Sequence, residues 1–466
     1  MLFNSLPFLI FLPSVVAIYF ILPHSWRWML LLAASYFFYG YWKIEYLGLI
    51  LFSTVVDFFT AQFIASTDDR LKKKIGLGIS LFTNLGLLAL FKYSGWFMTD
   101  VLNPISAISD SQLEGFHNFW SFALPVGISF YTFQTLGYTI DVYYGRAIPE
   151  KNPFKFALFV SFFPQLVAGP IERFSHLHKQ LFSEQKFNYT FFQHGGRLIL
   201  YGLFIKMCVA DNISPVVDQI FEQQNEASAI QLVLGALLFG IQIYSDFHGY
   251  SLIAIGTSRL LGIELMDNFN SPYTATSIRE FWSKWHISLS TWFRDYLFIP
   301  LGGSRVSRVK LATNILIVFI VSGLWHGANW TFVAWGAIHG ISYMMERWFI
   351  SKDTAPWLQF PRWIATMSIV FIAWIFFRSE SIEMAANYIT NAVSNESTGI
   401  NLEWRAISIS FVGLFLISDI HFKNRSIHSW LNEQGAFVRW SVYAFLIFSI
   451  TGFAGITNHP FIYFQF

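Results

Sequence analysis

Residues 311–345 read LATNILIVFIVSGLWHGANWTFVAWGAIHGISYMM. Two strongly apolar runs, 311–321 and 331–345, flank the segment Ser322-Gly323-Leu324-Trp325-His326-Gly327-Ala328-Asn329-Trp330. Basic residues close both outer ends, Lys310 before and Arg347 after. Lys and Arg collect on the cytoplasmic side of a membrane, so the stretch predicts a helical hairpin with both feet in the cytoplasm. His326 then lies near its apex. A helix over 311–325 is about 22 Å long, against a hydrocarbon core of roughly 30 Å. His326 is therefore expected deep in the membrane or toward its outer face, where a histidine is expensive to keep and marks function by default. The small residues Gly323, Gly327 and Ala328 leave room for backbone or ligand to come close.

The hydrophobic character extends along the whole chain. Of 466 residues, 54% are hydrophobic and 12% charged, where soluble proteins carry roughly 25% charged residues. Apolar runs fall near 7–22, 28–43, 46–65, 75–92, 121–140, 197–214, 231–256, 311–325, 329–346, 363–378, 406–420 and 440–456. This predicts an all-α polytopic membrane protein with about 12 membrane helices and excludes a soluble enzyme with one large core. No soluble domain and no short-period repeat interrupts the pattern, so residues 1–466 are expected to form a single integral-membrane domain. The first run reads as a retained helix, because no basic stretch precedes it and no small-residue cleavage site follows. A net charge of +2 gives no bias toward nucleic acid. Cys208, the lone cysteine, excludes an internal disulfide and a cysteine metal cage.

Charge orients the chain. Arg70, Lys72, Lys73 and Lys74 are expected in the cytoplasm, as are Arg146, Lys151 and Lys155, Arg259, the group Arg305, Arg308 and Lys310, the group Arg347, Lys352 and Arg362, and the group Lys423, Arg425 and Arg439. The stretches 94–120, 218–226 and 379–404 are expected outside, the first on its Asp100, Asp110 and Glu114. The alternation puts both termini outside. Two segments depart from simple spanning. Residues 156–170 begin and end near cytoplasmic charge and hold Pro164, Gly169 and Pro170, which predicts a re-entrant or broken element buried by protein. Residues 276–298 carry Ile278, Phe281, Trp282, Trp285, Leu289, Trp292, Phe293 and Tyr296 on one helical stripe, with charges largely outside it. That spacing predicts an interfacial amphipathic helix, with His286 at the seam between its faces.

An imidazole with an ordinary pKa near 6.5 can take and return a proton at neutral pH, so His326 is a candidate general base, against the alternative of a buried interhelical hydrogen bonder. His286 is a candidate second group, with an edge-of-helix role as its alternative. Asp295 follows Arg294, and the pair either lines a polar funnel or only pairs at the surface. Asp246, in Tyr244-Ser245-Asp246-Phe247-His248-Gly249-Tyr250, is an acid on an apolar helix and serves either function or helix pairing. His176 and His178 are a weak metal signal in a basic loop, and His339 suits helix packing; no metal site is expected. Walker, Rossmann, His-Glu-x-x-His and Gly-x-Ser-x-Gly motifs are absent, which removes the anchors for nucleotide hydrolysis, zinc proteolysis and serine hydrolysis.

Several stretches in order carry a family resemblance: Leu124-Pro125-Val126-Gly127-Ile128-Ser129-Phe130-Tyr131, then Phe163-Pro164-Gln165-Leu166-Val167-Ala168-Gly169-Pro170, then Ser277-Ile278-Arg279-Glu280-Phe281-Trp282. They continue through Trp285-His286-Ile287-Ser288-Leu289-Ser290-Thr291-Trp292-Phe293-Arg294-Asp295-Tyr296, Pro300-Leu301-Gly302-Gly303 and Gly323-Leu324-Trp325-His326-Gly327-Ala328-Asn329. The chain resembles the membrane-bound O-acyltransferase (MBOAT) superfamily, and within it the bacterial alginate O-acetyltransferase branch. The resemblance implies a helical fold enclosing a funnel or tunnel, His326 as the essential histidine and His286 as the second. His248 departs from the pattern, since relatives usually have a small residue there.

The resemblance further implies acetyl-CoA as donor substrate, no bound cofactor, a polysaccharide acceptor, a periplasmic acetyltransferase partner and a place in the lipid of the bacterial inner membrane. Asn329, Trp325 or His286 could stabilise the oxyanion, and Asp295 and Asp246 could contact substrate. Two rival readings are D-alanyl or other acyl transfer from a carrier-protein thioester, and a transporter or channel. The second lacks the paired broken helices of inverted repeats.

Overall fold

The computed structural model describes residues 1–102, 125, 127–167, 169–349, 355–394, 397–402, 404, 406–454 and 461–462. Asp110, Glu114 and the first residues of the expected span at 121–140 lie outside the described residues, as do Leu124, Val126, Ala168 and Lys352. All regular structure among the described residues is helical.

Seven helices there are long and apolar enough to cross a membrane: Tyr46–Ala65, Arg70–Val101, Tyr189–Glu222, Ala229–Leu260, Arg308–His326, Pro356–Arg378 and Ala436–Phe453. Leu6–Ile21 and Ala406–His421 are apolar but shorter. His24–Gly40, Ile128–Tyr143 and Trp330–Phe349 are helices where spans were expected, but they do not reach full spanning length and apolarity. The third of these holds three Trp, two Gly, one His and the charged pair Glu346-Arg347, which lower its apolarity. The chain is a multi-pass membrane protein, with full spanning character in these seven helices.

Contacts divide the chain into two compact units, residues 1–196 with 254–266, and residues 197–253 with 267–466. In the first, α1 (Leu6–Ile21), α2 (His24–Gly40), α3 (Tyr46–Ala65), α4 (Arg70–Leu88) and α5 (Ile128–Tyr143) pack together. Asp57 on α3 is wholly buried and supplied with neutral donors from two neighbours. It accepts from Ser80 and Asn84 of α4, the latter at 2.7 Å, and from Thr139 of α5 at 3.1 Å. A buried carboxylate is tolerated when its lone pairs are filled in this way.

The segment 156–170 is broken, as its prolines suggest. Helix α6 (Pro153–Ser161) stops at Phe162, and only a turn, Phe163–Leu166, follows. Protein satisfies the freed backbone: Phe163 N–H donates to Ser35 Oγ at 3.1 Å, and the Phe159 carbonyl accepts from Gln134 and Gln165. Helix α7 (Phe174–Phe182) replaces the loop expected around His176 and His178. Its histidines pair with acids instead of facing water freely: His176 with Glu172 at 2.7 Å, and His178 with Glu150.

The second unit takes the second half of α8 (Tyr189–Phe204), which runs through a π turn at Ile205–Ala210 into α9 (Asp211–Glu222), and most of α10 (Ala229–Leu260). It continues with α11 (Ile278–Lys284), α12 (Ile287–Phe293), α13 (Arg308–His326), α14 (Trp330–Phe349), α15 (Gln359–Arg378), α16 (Ile382–Ser394), α17 (Ala406–His421), α18 (Ile427–Glu433) and α19 (Ala436–Phe453). The continuous amphipathic helix expected over 276–298 is two short helices and a π turn, Arg294–Phe298, broken at His286. Capping explains its start: Glu280 N–H donates to Ser277 Oγ at 3.0 Å, and Glu280 Oε2 accepts from Thr276 N–H at 2.8 Å.

Candidate active site

Every candidate side chain lies in the second unit. Helix α13 ends on His326 itself, residues 327–329 turn, and α14 starts at Trp330, which makes the hairpin read from the sequence. Its glycines admit neighbouring protein, not a ligand. A Cβ on Gly323 would stand 2.1 Å from the Phe332 carbonyl oxygen, and one on Gly327 would stand 1.9 Å from the Phe332 ring. The two helices therefore close on each other beside the histidine.

His326 is 6% exposed. Its ring lies edge-on to Trp335 of α14, 5.2 Å between centroids, and to Phe377 of α15 at 5.4 Å. Trp335 stacks on Trp374 at 6.0 Å, and Trp374 meets Trp285 at 5.0 Å. Trp285 is the residue before His286, so a continuous aromatic wall joins the surroundings of the two histidines.

His286 is held where the chain breaks. Its φ of 43° is left-handed, a conformation that non-glycine residues enter at a cost and that collects at functional sites. Two backbone bonds splice the loop before α11 into the break: Asn270 N–H to Lys284 O at 3.0 Å, and Ile287 N–H to Asn268 O at 2.9 Å. The ring packs on Phe247 at 4.6 Å. Both ring nitrogens are buried without a hydrogen-bond partner among the described residues. Burial pushes this imidazole down to about 3, so it is neutral at physiological pH, offering one donor and one acceptor.

A cavity of about 440 Å³ opens between α11, α12, α13 and α14. Arg279, Arg294 and Arg347 line it, and so do Trp282, Phe319 and Ser322. Phe319 and Ser322 step along α13 toward His326, one helical turn beyond Ser322. The cavity thus joins cationic side chains to the neighbourhood of the buried histidine.

The remaining candidates are committed elsewhere in part. Trp325 is half-buried on the last turn of α13. Asn329 caps α14, accepting from Thr331 N–H at 3.0 Å, and donates to the Glu380 carbonyl at 2.6 Å. Asp295 pairs with Arg294 at 2.8 Å. Asp246 is buried in a network with Lys206 at 2.8 Å, which also holds Asp211 at 2.7 Å, and accepts from Ile462 N–H at 2.8 Å. Ser322, Trp335 and Trp374 were missed by sequence reasoning; a Trp and a His four apart, Trp335 and His339, were the available signal for one face of α14. No group of three or more metal-ligating side chains occurs among the described residues.

A model of the membrane-bound O-acyltransferase family matches residues 147–386. The chain is 36% identical over 464 residues to a probable alginate O-acetylase of Pseudomonas aeruginosa, covering 99% of this chain and 83% of the relative. Against the probable alginate O-acetylase of Azotobacter vinelandii it is 40% identical over 388 residues, 83% of this chain and 76% of the relative. Against the peptidoglycan O-acetyltransferase of Helicobacter pylori it is 35% identical over 432 residues, 84% and 80%. The chain belongs to the membrane-bound O-acyltransferase family and is an O-acyltransferase.

Proposed function

We propose that this O-acyltransferase takes acetyl groups from acetyl-CoA in the cytoplasm and passes them across the bacterial inner membrane for O-acetylation of an extracytoplasmic polysaccharide, directly or through a periplasmic acetyltransferase. The cavity carries this reading: Arg279, Arg294 and Arg347 line it together with Ser322, which lies one helical turn from His326. The arginines hold the anionic nucleotide at the mouth while the thioester arm reaches inward. The identity to polysaccharide O-acetylating relatives over most of the chain supports the acceptor class.

In this reading the acceptor hydroxyl approaches from the outer side and loses its proton to His326. Its oxygen bonds to the carbonyl carbon, and the tetrahedral oxyanion collapses. The C–S bond breaks, and His326 returns the proton to the departing thiolate, giving the ester and CoA–SH. His286, neutral and without a hydrogen-bond partner among the described residues, orients the thioester or the acceptor. Both termini face outside, as the charge map expects.

Purified protein supplied with labelled acetyl-CoA tests the donor. CoA release and label transfer are expected, whereas turnover only with a carrier-protein thioester would overturn the acetyl-CoA reading. Arg294→Gln or Arg347→Gln should raise KM for acetyl-CoA about fivefold, matching an exposed ion pair, and leave KM for acetyl-pantetheine, which lacks the nucleotide, unchanged.

A further inference from the structure

His339 of α14 is wholly buried, and its imidazole is held in one tautomer. Trp282 Nε1–H donates to His339 Nδ1 at 3.3 Å. An indole nitrogen only donates, so Nδ1 holds a lone pair and the proton resides on Nε2. That Nε2–H is buried and has no acceptor among the described residues. One turn earlier on the same face of α14, Trp335 presents a second buried donor without an acceptor among the described residues, its Nε1–H. Trp335 is also the ring against His326, at 5.2 Å, and it meets His339 at 5.0 Å.

Trp282 accounts for Nδ1, but packing calls for no N–H at the Nε2 position. The His339 ring lies parallel to Phe281 at 6.1 Å and close to parallel with Phe319 at 6.3 Å, where a phenyl ring would serve. Leaving buried N–H groups unpaired is costly, and the cost needs a cause. Trp374 Nε1–H, beside Trp335, is a third such donor. The buried N–H groups of His339, Trp335 and Trp374 thus gather beside Trp282, which itself walls the cavity. Such an environment favours negative charge that appears only during reaction.

Resting on the acyl-transfer reading above, we propose that His339 Nε2–H and Trp335 Nε1–H form the oxyanion hole. As the acceptor oxygen adds, the carbonyl π pair moves onto oxygen and is held by these two donors. When the pair returns, the C–S bond breaks. His339 stays neutral throughout and exchanges no proton; His326 alone carries the proton from hydroxyl to thiolate.

The test compares CoA release by wild type, His339→Phe, His339→Gln and Trp335→Phe across pH. His339→Phe keeps the stacking and removes the Nε2–H donor together with the Nδ1 acceptor of Trp282; kcat should fall about 100-fold, with KM for acetyl-CoA and the pH midpoints unchanged. His339→Gln, whose amide can place N–H near the Nε2 position, should recover most of that loss. Trp335→Phe should lower kcat in the same manner, and it reads the inference if His339→Phe fails to fold. Wild-type kcat in His339→Phe would overturn the inference. So would a Gln variant as slow as Phe with both folded, since that marks a packing role. Absence of CoA release by wild type would instead bring down the acetyl-CoA reading, and the inference with it.

Discussion

His326 reaches its place because two glycines let a helical hairpin close beside it. At Gly323 there is no room even for a methyl group, since the Cβ position lies 2.1 Å from a backbone oxygen of the partner helix. Gly323→Ala should therefore cost roughly 1–3 kcal/mol, the price of overpacking. A lowered unfolding temperature in detergent, together with reduced acetyl transfer, is the expected result; an unchanged unfolding temperature would show that the hairpin can open to admit the methyl. His326 was legible in sequence because a lone imidazole between two apolar runs is anomalous. Trp374 was not, because a lone tryptophan in an aromatic-rich chain carries no signal until its neighbours are known; Trp335 offered only its spacing to His339. Asn329 has a structural role that its motif position does not announce: its side chain caps a helix and reaches the Glu380 carbonyl.

Among the elements, the break between α11 and α12 is where periodicity misleads. The apolar stripe over 276–298 continues in register, and it is largely buried on both sides of the break, from Ile278 and Phe281 to Trp285, Leu289 and Trp292. What ends α11 is a left-handed His286 secured by Asn268 and Asn270, partners that only tertiary structure supplies. Backbone and side-chain roles of His286 can be separated. His286→Gly removes a left-handed penalty of about 1–2 kcal/mol along with the imidazole, so it should unfold no lower than wild type yet lose acetyl transfer. His286→Ala keeps the penalty and should be both less stable and inactive. Full activity in His286→Gly would reduce His286 to a hinge. The broken element 156–170, by contrast, was readable, since prolines and flanking charge declare a segment that cannot simply span.

At the scale of the molecule, the apolar runs locate the helices well: each expected span falls on a helix in its described residues. They locate full spans less well: Trp330–Phe349, one wall of the candidate site, holds three Trp, two Gly, His339 and the charged pair Glu346-Arg347 in place of aliphatic side chains. Orientation rests on charge alone and is open to a direct check. In a Cys208→Ser background, single cysteines at Glu226, Lys74 and Arg308 should divide by side. An impermeant thiol reagent applied to intact spheroplasts should label Glu226→Cys and should reach Lys74→Cys and Arg308→Cys only after lysis; the reverse pattern would invert the topology. The central claim joins that topology to His326. Reconstituted protein with labelled acetyl-CoA confined to its cytoplasmic face and polysaccharide, with any required periplasmic partner, on the other measures it most directly. Wild type should place label on polymer hydroxyls across the bilayer, and His326→Ala, inserted and folded, should place none. Equal labelling by His326→Ala would contradict the account.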